Sequence, residues 1–507
     1  MREHLARVHS AELEGIHARP IEVEVDLNVG LHAFNIVGLA DKALNEARER
    51  VNSSLKNSGV KPPNRENRKI TVNLAPADVK KAGSQYDLAI AVGYLAATHQ
   101  IKAFDARDKL FVGELALDGR LRPVHGALSI SHMAAEQGFR YLFLPAVNAN
   151  EAAVVSATHV VPVETLADAI QFLEEQRPLA RHAYRAAVQT AHSAPDFADI
   201  KGQDNAKRAL MIAAAGGHNL LMSGPPGVGK SLLAQAMVGI LPPMEPEESI
   251  EVTKIWSAAG FPLHGLLAAR PFRAPHQTAT LPAIVGGGSD PKPGEISLAH
   301  RGVLFLDEFP EFQRHILEAL RAPLESGAVH VARAKGTLAF PARFTLVAAM
   351  NPCPCGYHGD PEKECKCSPY EVIRYQKKIS GPLADRIDLH VTVPRVPIEH
   401  LRAPHTSTLT SESARATIAA ARARQRERLA SLRITTNADM SSRTVEALAH
   451  LDHSAEEFVS TLANKKLSPR AYYRLLKTAR TIADMENADA VTRDHLADAW
   501  GYRIREE

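Results

Sequence analysis

Long apolar runs are missing from this 507-residue chain. The longest, Leu88 to Ala97, falls well short of the roughly 18–20 residues of a membrane-spanning helix. The amino terminus, Met1-Arg2-Glu3-His4-Leu5, has no apolar secretory core, so a cytoplasmic protein without membrane attachment is expected. Cysteine is scarce, with four residues, too few to staple a disulfide scaffold. Charge of one sign is lacking too: 60 Lys and Arg face 57 Asp and Glu, for a formal net charge of +3. That balance excludes a uniformly basic, histone-like binder and an acidic disordered tail, but leaves room for local basic patches. No internal repeat or extended low-complexity segment occurs. What is present is ordinary for a globular protein, with 45% hydrophobic and 23% charged residues. At about 150 residues per domain, three domains are expected.

Hydrophobic periodicity divides the chain. Ile21, Val23, Val25, Leu27 and Val29 alternate with polar residues, as a half-buried strand does, and Ile70, Val72 and Leu74 repeat the pattern. Leu44, Ala47, Val51 and Leu55 share one helical face between a cap at Asp41 and Gly59. Leu88–Ala97 reads as a buried helix, and Asp118-Gly119 between leucines as a hairpin turn. Gln176–Pro195, ending in Ser193-Ala194-Pro195, reads as a linker. Short apolar strands follow at Asn219–Ser223, Val303–Leu306 and Phe344–Ala349, with a helix at Ser231–Ile240. Such alternation predicts a parallel α/β sheet with ligands at the strand C-termini. Beyond Pro397 the pattern is helical: Ser413–Leu432, Ser441–His450, Ser454–Asn464, Arg470–Met485 and Asp494–Tyr502. The expected domains are 1–185 (α+β), 186–395 (α/β core) and 396–507 (helical lid).

Gly224-Pro225-Pro226-Gly227-Val228-Gly229-Lys230-Ser231, followed by Leu232, matches a P-loop, with a strand before it and a helix after it. Glycines let backbone N–H groups approach phosphates, and the helix start adds a favourable dipole. Lys230 is expected on the β/γ-phosphates of ATP and Ser231 on Mg²⁺. Asp307 and Glu308 close the second strand: Asp307 to hold the metal's water shell, Glu308 to polarise the attacking water. The intervening chain leaves room for an insertion, with Gly286–Gly294 as its flexible tip.

All four cysteines fall together, as Cys353-Pro354-Cys355 and Cys365-Lys366-Cys367. Four thiolates can close a tetrahedral, structural zinc shell. His358 is an alternative ligand, and unmetallated thiols or labile disulfides are the plainer readings. Basic residues gather in Val329–Gly336, where a β-hairpin would present Arg333 and Lys335 to nucleic-acid phosphates. Two helical stretches are also candidates: Lys465, Lys466, Arg470, Arg474, Lys477 and Arg480, and Arg415, Arg422, Arg426 and Arg433. Both have a solvated charged surface as the alternative.

The P-loop, Arg270–His276, Gly302–Glu308 and Ala349–Pro352 together resemble the AAA+ ATPases of the magnesium-chelatase-like branch. The resemblance implies that Asn351 is sensor 1, Arg386 an arginine finger offered to a neighbouring subunit, and Arg470 sensor 2. For Arg386 the alternative is an ion pair with Asp385 or Asp388, and for Arg470 a solvated helix face. It further implies that a hairpin before sensor 1 lines a central pore. Gly113–Val124 is similar to the proteolytic domain of Lon-type proteases, a ribosomal-S5-like fold. Lon's serine–lysine dyad is not matched. Lys81–Leu88 offers only Ser84 near the nucleophile position, and Ala127-Leu128-Ser129-Ile130 carries no lysine. A non-proteolytic module is therefore expected.

The order of these regions resembles the ComM/YifB family over nearly the whole chain. That resemblance implies a bacterial homo-hexameric ATPase and DNA helicase. It would act on single-stranded or branched DNA, driving branch migration in natural transformation, with recombination proteins as possible partners. A motor subunit of a metal chelatase is the alternative; an unfoldase coupled to proteolysis and a non-enzymatic scaffold fit less of the sequence.

Overall fold

The structure is a computed structural model. It describes residues 5–503 apart from 39–43, 45, 66, 80, 179–180, 187–193, 289–290, 334–335, 398, 400–408, 433 and 463–466. Two compact units result: Met1–Gln189 with Ser249–Leu267, and Thr190–Glu248 with Ala268–Glu507.

The first unit is built on strands β1 (Leu5–Glu14), β2 (His17–Val29), β3 (Ala33–Val37), β4 (Arg68–Ala75) and β5 (Lys109–Phe111). A two-stranded ribbon follows, β6 (Glu114–Leu115) with β7 (Leu121–Arg122), and then β8 (Tyr141–Pro145) and β9 (His159–Val163). Seven of these form one mixed sheet in the order β3-β4-β2-β1-β5-β8-β9. The expected alternation in β2 holds: Ile21, Val23, Val25 and Leu27 are buried, whereas Val29, at the strand end, is exposed. Ala47, Val51 and Leu55 share the buried face of helix Ala47–Asn57, and Leu44, ahead of that helix, is buried as well; Asp41 lies outside the described residues. Helix Asp87–Ala97 is apolar on nearly all sides because it packs between β1, β2 and helix Ala47–Asn57. Within this unit the inserted segment 249–267 is held by Ser257. Its hydroxyl donates to Glu151 Oε1 at 2.5 Å and accepts the Gly126 N–H at 2.9 Å.

The second unit begins with β10 (Leu220–Ser223) and β11 (Phe272–Arg273), then the ribbon β12 (Gly286–Gly287) with β13 (Lys292–Pro293). After β14 (Val303–Leu306) comes the hairpin β15 (Ala328–Arg333) with β16 (Gly336–Pro341), then β17 (Thr345–Met350) and β18 (Leu389–Thr392). The main sheet runs β11-β14-β17-β10-β18, and every pair in it is parallel. Helices Ser411–Leu429, Pro469–Met485 and Arg493–Gly501 pack into the same apolar core as this sheet and helix Lys230–Ile240. Around 286–294, the expected flexible tip, the flanks instead pair as β12 and β13. A Cβ on Gly294 would lie 2.3 Å from the Gly286 nitrogen, so this crossing requires glycine. Ser289 and Asp290 lie outside the described residues.

Candidate functional site

Parallel pairing brings three strand ends together. β10 leads into Gly224–Ser231, β14 into Asp307-Glu308, and β17, between them, into Asn351. The loop geometry explains its glycines. A Cβ on Gly224 would sit 2.2 Å from the Val393 carbonyl oxygen, and Gly227 and Gly229 hold φ of +79° and +93°. Helix Lys230–Ile240 starts without a side-chain cap, which leaves its first N–H groups for an anion.

Side chains from all three strand ends meet there. Lys230 Nζ donates to the Gly224 and Pro225 carbonyls at 2.6 and 2.9 Å and to Asn351 Oδ1 at 3.1 Å. Burial pushes its amine below the ordinary lysine range, while Asp307 and Glu308 pull it back. Ser231 Oγ donates to Asp307 Oδ2 at 2.8 Å, and the Glu308 N–H donates to Asp307 Oδ1 at 2.9 Å. Glu308 has φ of +49°, an uncommon conformation for a residue with a side chain.

Arg386 and Arg470 are elsewhere. They line a cavity of about 430 Å³ beside Asn219, Gly302, Thr345 and Asp388, at the starts of the same strands. This is the end of the sheet opposite Lys230. Arg386 pairs with neither Asp385 nor Asp388; its Nη2 meets Glu325 Oε2 at 2.6 Å, and Arg470 Nη2 meets Glu325 Oε1 at 3.0 Å. Arg470 is therefore not simply a solvated charge.

The four cysteines are free, and their sulfurs all lie within 4.8 Å of one another. Cys353, Cys355 and Cys365 are separated by 3.4–3.7 Å, close to the roughly 3.8 Å edge of a tetrahedral shell with 2.3 Å zinc–sulfur bonds. Backbone N–H groups of Tyr357 and Lys366 lower the Cys355 thiol to about 6. The donor set fits zinc. Its loop also touches the nucleotide loop: a Cβ on Gly356 would sit 2.9 Å from Pro226 Cδ.

The strands expected around Arg333 and Lys335 are present as β15 and β16. Lys335 and the Arg333 side chain lie outside what is described. In the two basic helical stretches that were candidates for DNA contact, most of the described cations are engaged within the chain instead. Arg480 is buried and paired with Asp484, Arg474 leans on Asp388 at 3.5 Å, and Lys477 donates to the Ala438 carbonyl. Arg415 and Arg422 donate to the Gly239 and Ala214 carbonyls, and Arg426 pairs with Glu245 at 2.5 Å. These cations hold helices to the core. Lys465, Lys466 and Arg433 lie outside the described residues.

In the first unit Ser84 donates to the Glu114 carboxylate, Lys81 is buried with its amine on the Pro76 carbonyl, and Ser129 donates to the Ile16 carbonyl. Two groups escaped sequence reasoning. Glu325 carries no motif. Tyr375 is buried beside Val372 on helix Pro369–Gln376, accepts the Asn351 N–H, and is pushed up to about 12 by burial. Its apolar-face spacing was the available signal.

Fold and site define a P-loop protein of the magnesium-chelatase class. The family profile "Magnesium chelatase, subunit ChlI" matches residues 196–401. "Subunit ChlI of Mg-chelatase" matches 23–148, and "Magnesium chelatase, subunit ChlI C-terminal" matches 408–503. Competence protein ComM of Haemophilus influenzae is 45% identical over 505 residues, spanning 98% of this chain and 97% of its own. Uncharacterized protein YifB of Escherichia coli is 43% identical over 502 residues, with 98% and 97% covered. The magnesium-chelatase 38 kDa subunit of Rhodobacter capsulatus is 29% identical over 181 residues, 31% of this chain and 50% of that one. The chain belongs to the magnesium-chelatase-like ComM/YifB family. Among the described residues no helix is long and apolar enough to cross a membrane.

Proposed function

We propose that this protein is an ATP-hydrolysing motor that assembles as a homo-hexamer in the cytoplasm and drives branch migration of DNA during natural transformation. The observation carrying the DNA assignment is the 45% identity, across nearly the whole chain, to a protein named for competence. The motor assignment draws on the meeting of Lys230, Ser231, Asp307 and Asn351.

On nucleotide binding, Lys230 exchanges its loop carbonyls for β/γ-phosphate oxygens, and the N–H groups of 227–232 cradle the phosphates. Ser231 and Asp307 would hold Mg²⁺, which neutralises phosphate charge. Glu308 polarises the attacking water and Asn351 positions it. Arg386 and Arg470 lie at the far end of the sheet and serve the nucleotide of a neighbouring copy, making hydrolysis depend on assembly. Cys353, Cys355, Cys365 and Cys367 would hold a structural zinc ion that fixes the loop after Asn351. Arg333 and Lys335 on the hairpin contact DNA phosphates, giving affinity without sequence specificity. We read residues 1–185 as a Lon-like module without protease activity, since Ser84 is paired to a carboxylate rather than an amine. We assign residues 186–395 to the ATPase core, with 249–267 as an excursion into the first unit, and 396–507 to the lid.

The chelatase profiles favour a second reading, a motor subunit that drives metal insertion. One assay separates the two. ATP hydrolysis is measured with four-way DNA, with unfolded protein, and with porphyrin plus magnesium. Stimulation by DNA alone is expected; stimulation by porphyrin alone would establish the chelatase reading, and stimulation by unfolded protein alone would overturn both.

A further inference from the structure

The cavity at the strand starts is lined by eight basic side chains against four carboxylates. Several of these cations have local partners: Arg270 pairs with Glu248 at 2.7 Å, and Arg474 lies 3.5 Å from Asp388. Arg343 has no carboxylate partner among the described residues. Glu325 joins two guanidiniums from distant parts of the chain, and its side chain stays largely open to solvent. Its Oε2 meets Arg386 at 2.6 Å and its Oε1 meets Arg470 at 3.0 Å.

Helix Arg321–Ser326 carries Glu325 near its end, and the side chain is 58% exposed. The two arginines hold its carboxyl below the usual range, Arg386 first. Such a carboxylate offers two oxygens and one charge. A phosphoryl group offers three oxygens and more charge to the same forked donors. The arrangement is an arginine pair closed around an oxyanion that the chain itself supplies. Arg386 is largely buried, but Glu325 faces solvent, so the carboxylate can leave the pair for water at modest cost.

We propose that this cavity is a phosphoryl-binding site in which Glu325 is the resident surrogate, holding Arg386 and Arg470 until a terminal phosphoryl group replaces it. The inference rests on the proposed role of these arginines at a neighbour's nucleotide. The phosphoryl group comes either from a free anion or from nucleotide bound by a second copy of this chain. Glu325 is a positioning residue.

Two measurements on the full chain test this, each with Glu325→Gln. The first titrates pyrophosphate calorimetrically in a Lys230→Ala background, so that the chain's own P-loop does not contribute. The second follows association by sedimentation with a non-hydrolysable ATP analogue. Removing the surrogate should strengthen one or both by about fivefold, and the gain should vanish when Arg386→Ala and Arg470→Ala are added. A gain with pyrophosphate alone assigns the free anion; a gain in association alone assigns the second copy's nucleotide. No gain in either, or a gain that survives without the arginines, overturns the proposal. If the Arg386→Ala, Arg470→Ala protein assembles and hydrolyses ATP normally, the parent reading fails. If that protein is impaired while Glu325→Gln changes neither arm, the surrogate role alone fails.

Discussion

Arg480→Met separates a structural arginine from a DNA-binding one. The side chain is 1% exposed, and burial pushes its pKa down. It donates to the Ala488 and Asp489 carbonyls at 2.5 and 2.7 Å and to Asp484 Oδ1 at 3.1 Å. It also donates from Nε to Asp484 Oδ1 at 3.2 Å and from Nη1 to the Ala449 carbonyl at 3.4 Å; methionine fills similar space and removes all five bonds. Asp484 remains paired with Arg428 at 2.6 Å and with Asn437 at 2.9 Å, and Ala488 keeps Arg424 at 3.2 Å. The loss is therefore dominated by the Asp489 and Ala449 carbonyls, two charged bonds at about 1.5 kcal/mol each, near 3 kcal/mol in sum. For a unit of this size that lowers the melting midpoint by about 5 °C. The assay is differential scanning calorimetry of the two proteins, alongside DNA affinity at several salt concentrations. An unchanged melting profile with a DNA salt slope reduced by about one would refute the reasoning and restore Arg480 as a phosphate contact.

Three further outcomes follow from the same geometry. Lys230→Ala and Arg386→Ala proteins should each be nearly inactive in ATP hydrolysis, and mixing them should restore activity; no restoration argues against shared sites. Protein purified without chelator should contain about one zinc per chain by elemental analysis, and Cys353→Ser with Cys355→Ser should contain none. Burial holds His390 down at about 4 from its ordinary 6.5. Between those values the unfolded chain takes a proton that the folded chain refuses, so stability falls as pH drops through this window. His390→Gln should flatten that limb of a melting-temperature profile, and an unaltered slope would count against it.

Local pattern exposed most of the elements. The alternation of Ile21 to Leu27 and the one-sided spacing of Ala47, Val51 and Leu55 are direct records of which face is buried. The P-loop was legible because its glycines answer a local demand of backbone on phosphate. Asp307 and Asn351 were legible because strand ends of a parallel sheet collect ligands. The basic helices stayed ambiguous in the sequence because an arginine repeated on a helix looks the same whether it meets phosphate or a carbonyl of its own core. Arg422 and Arg480 reach partners through tertiary packing alone. Glu325 was invisible for the same reason: it gains meaning only when residues 386 and 470 converge on it. The segment 249–267 reads in sequence as part of an insertion within the ATPase core. Its place in the first unit is held by long-range bonds such as Ser257 to Glu151 and Asn150 to the His264 carbonyl, which no periodicity records.

The central claim is that ATP hydrolysis by this chain moves DNA, and the direct measurement is migration of a synthetic four-way DNA junction with ATP and magnesium. The unmodified protein should resolve the junction into duplex products, and Lys230→Ala should yield none. ATP hydrolysis without any junction movement, or equal movement by Lys230→Ala, would contradict the account.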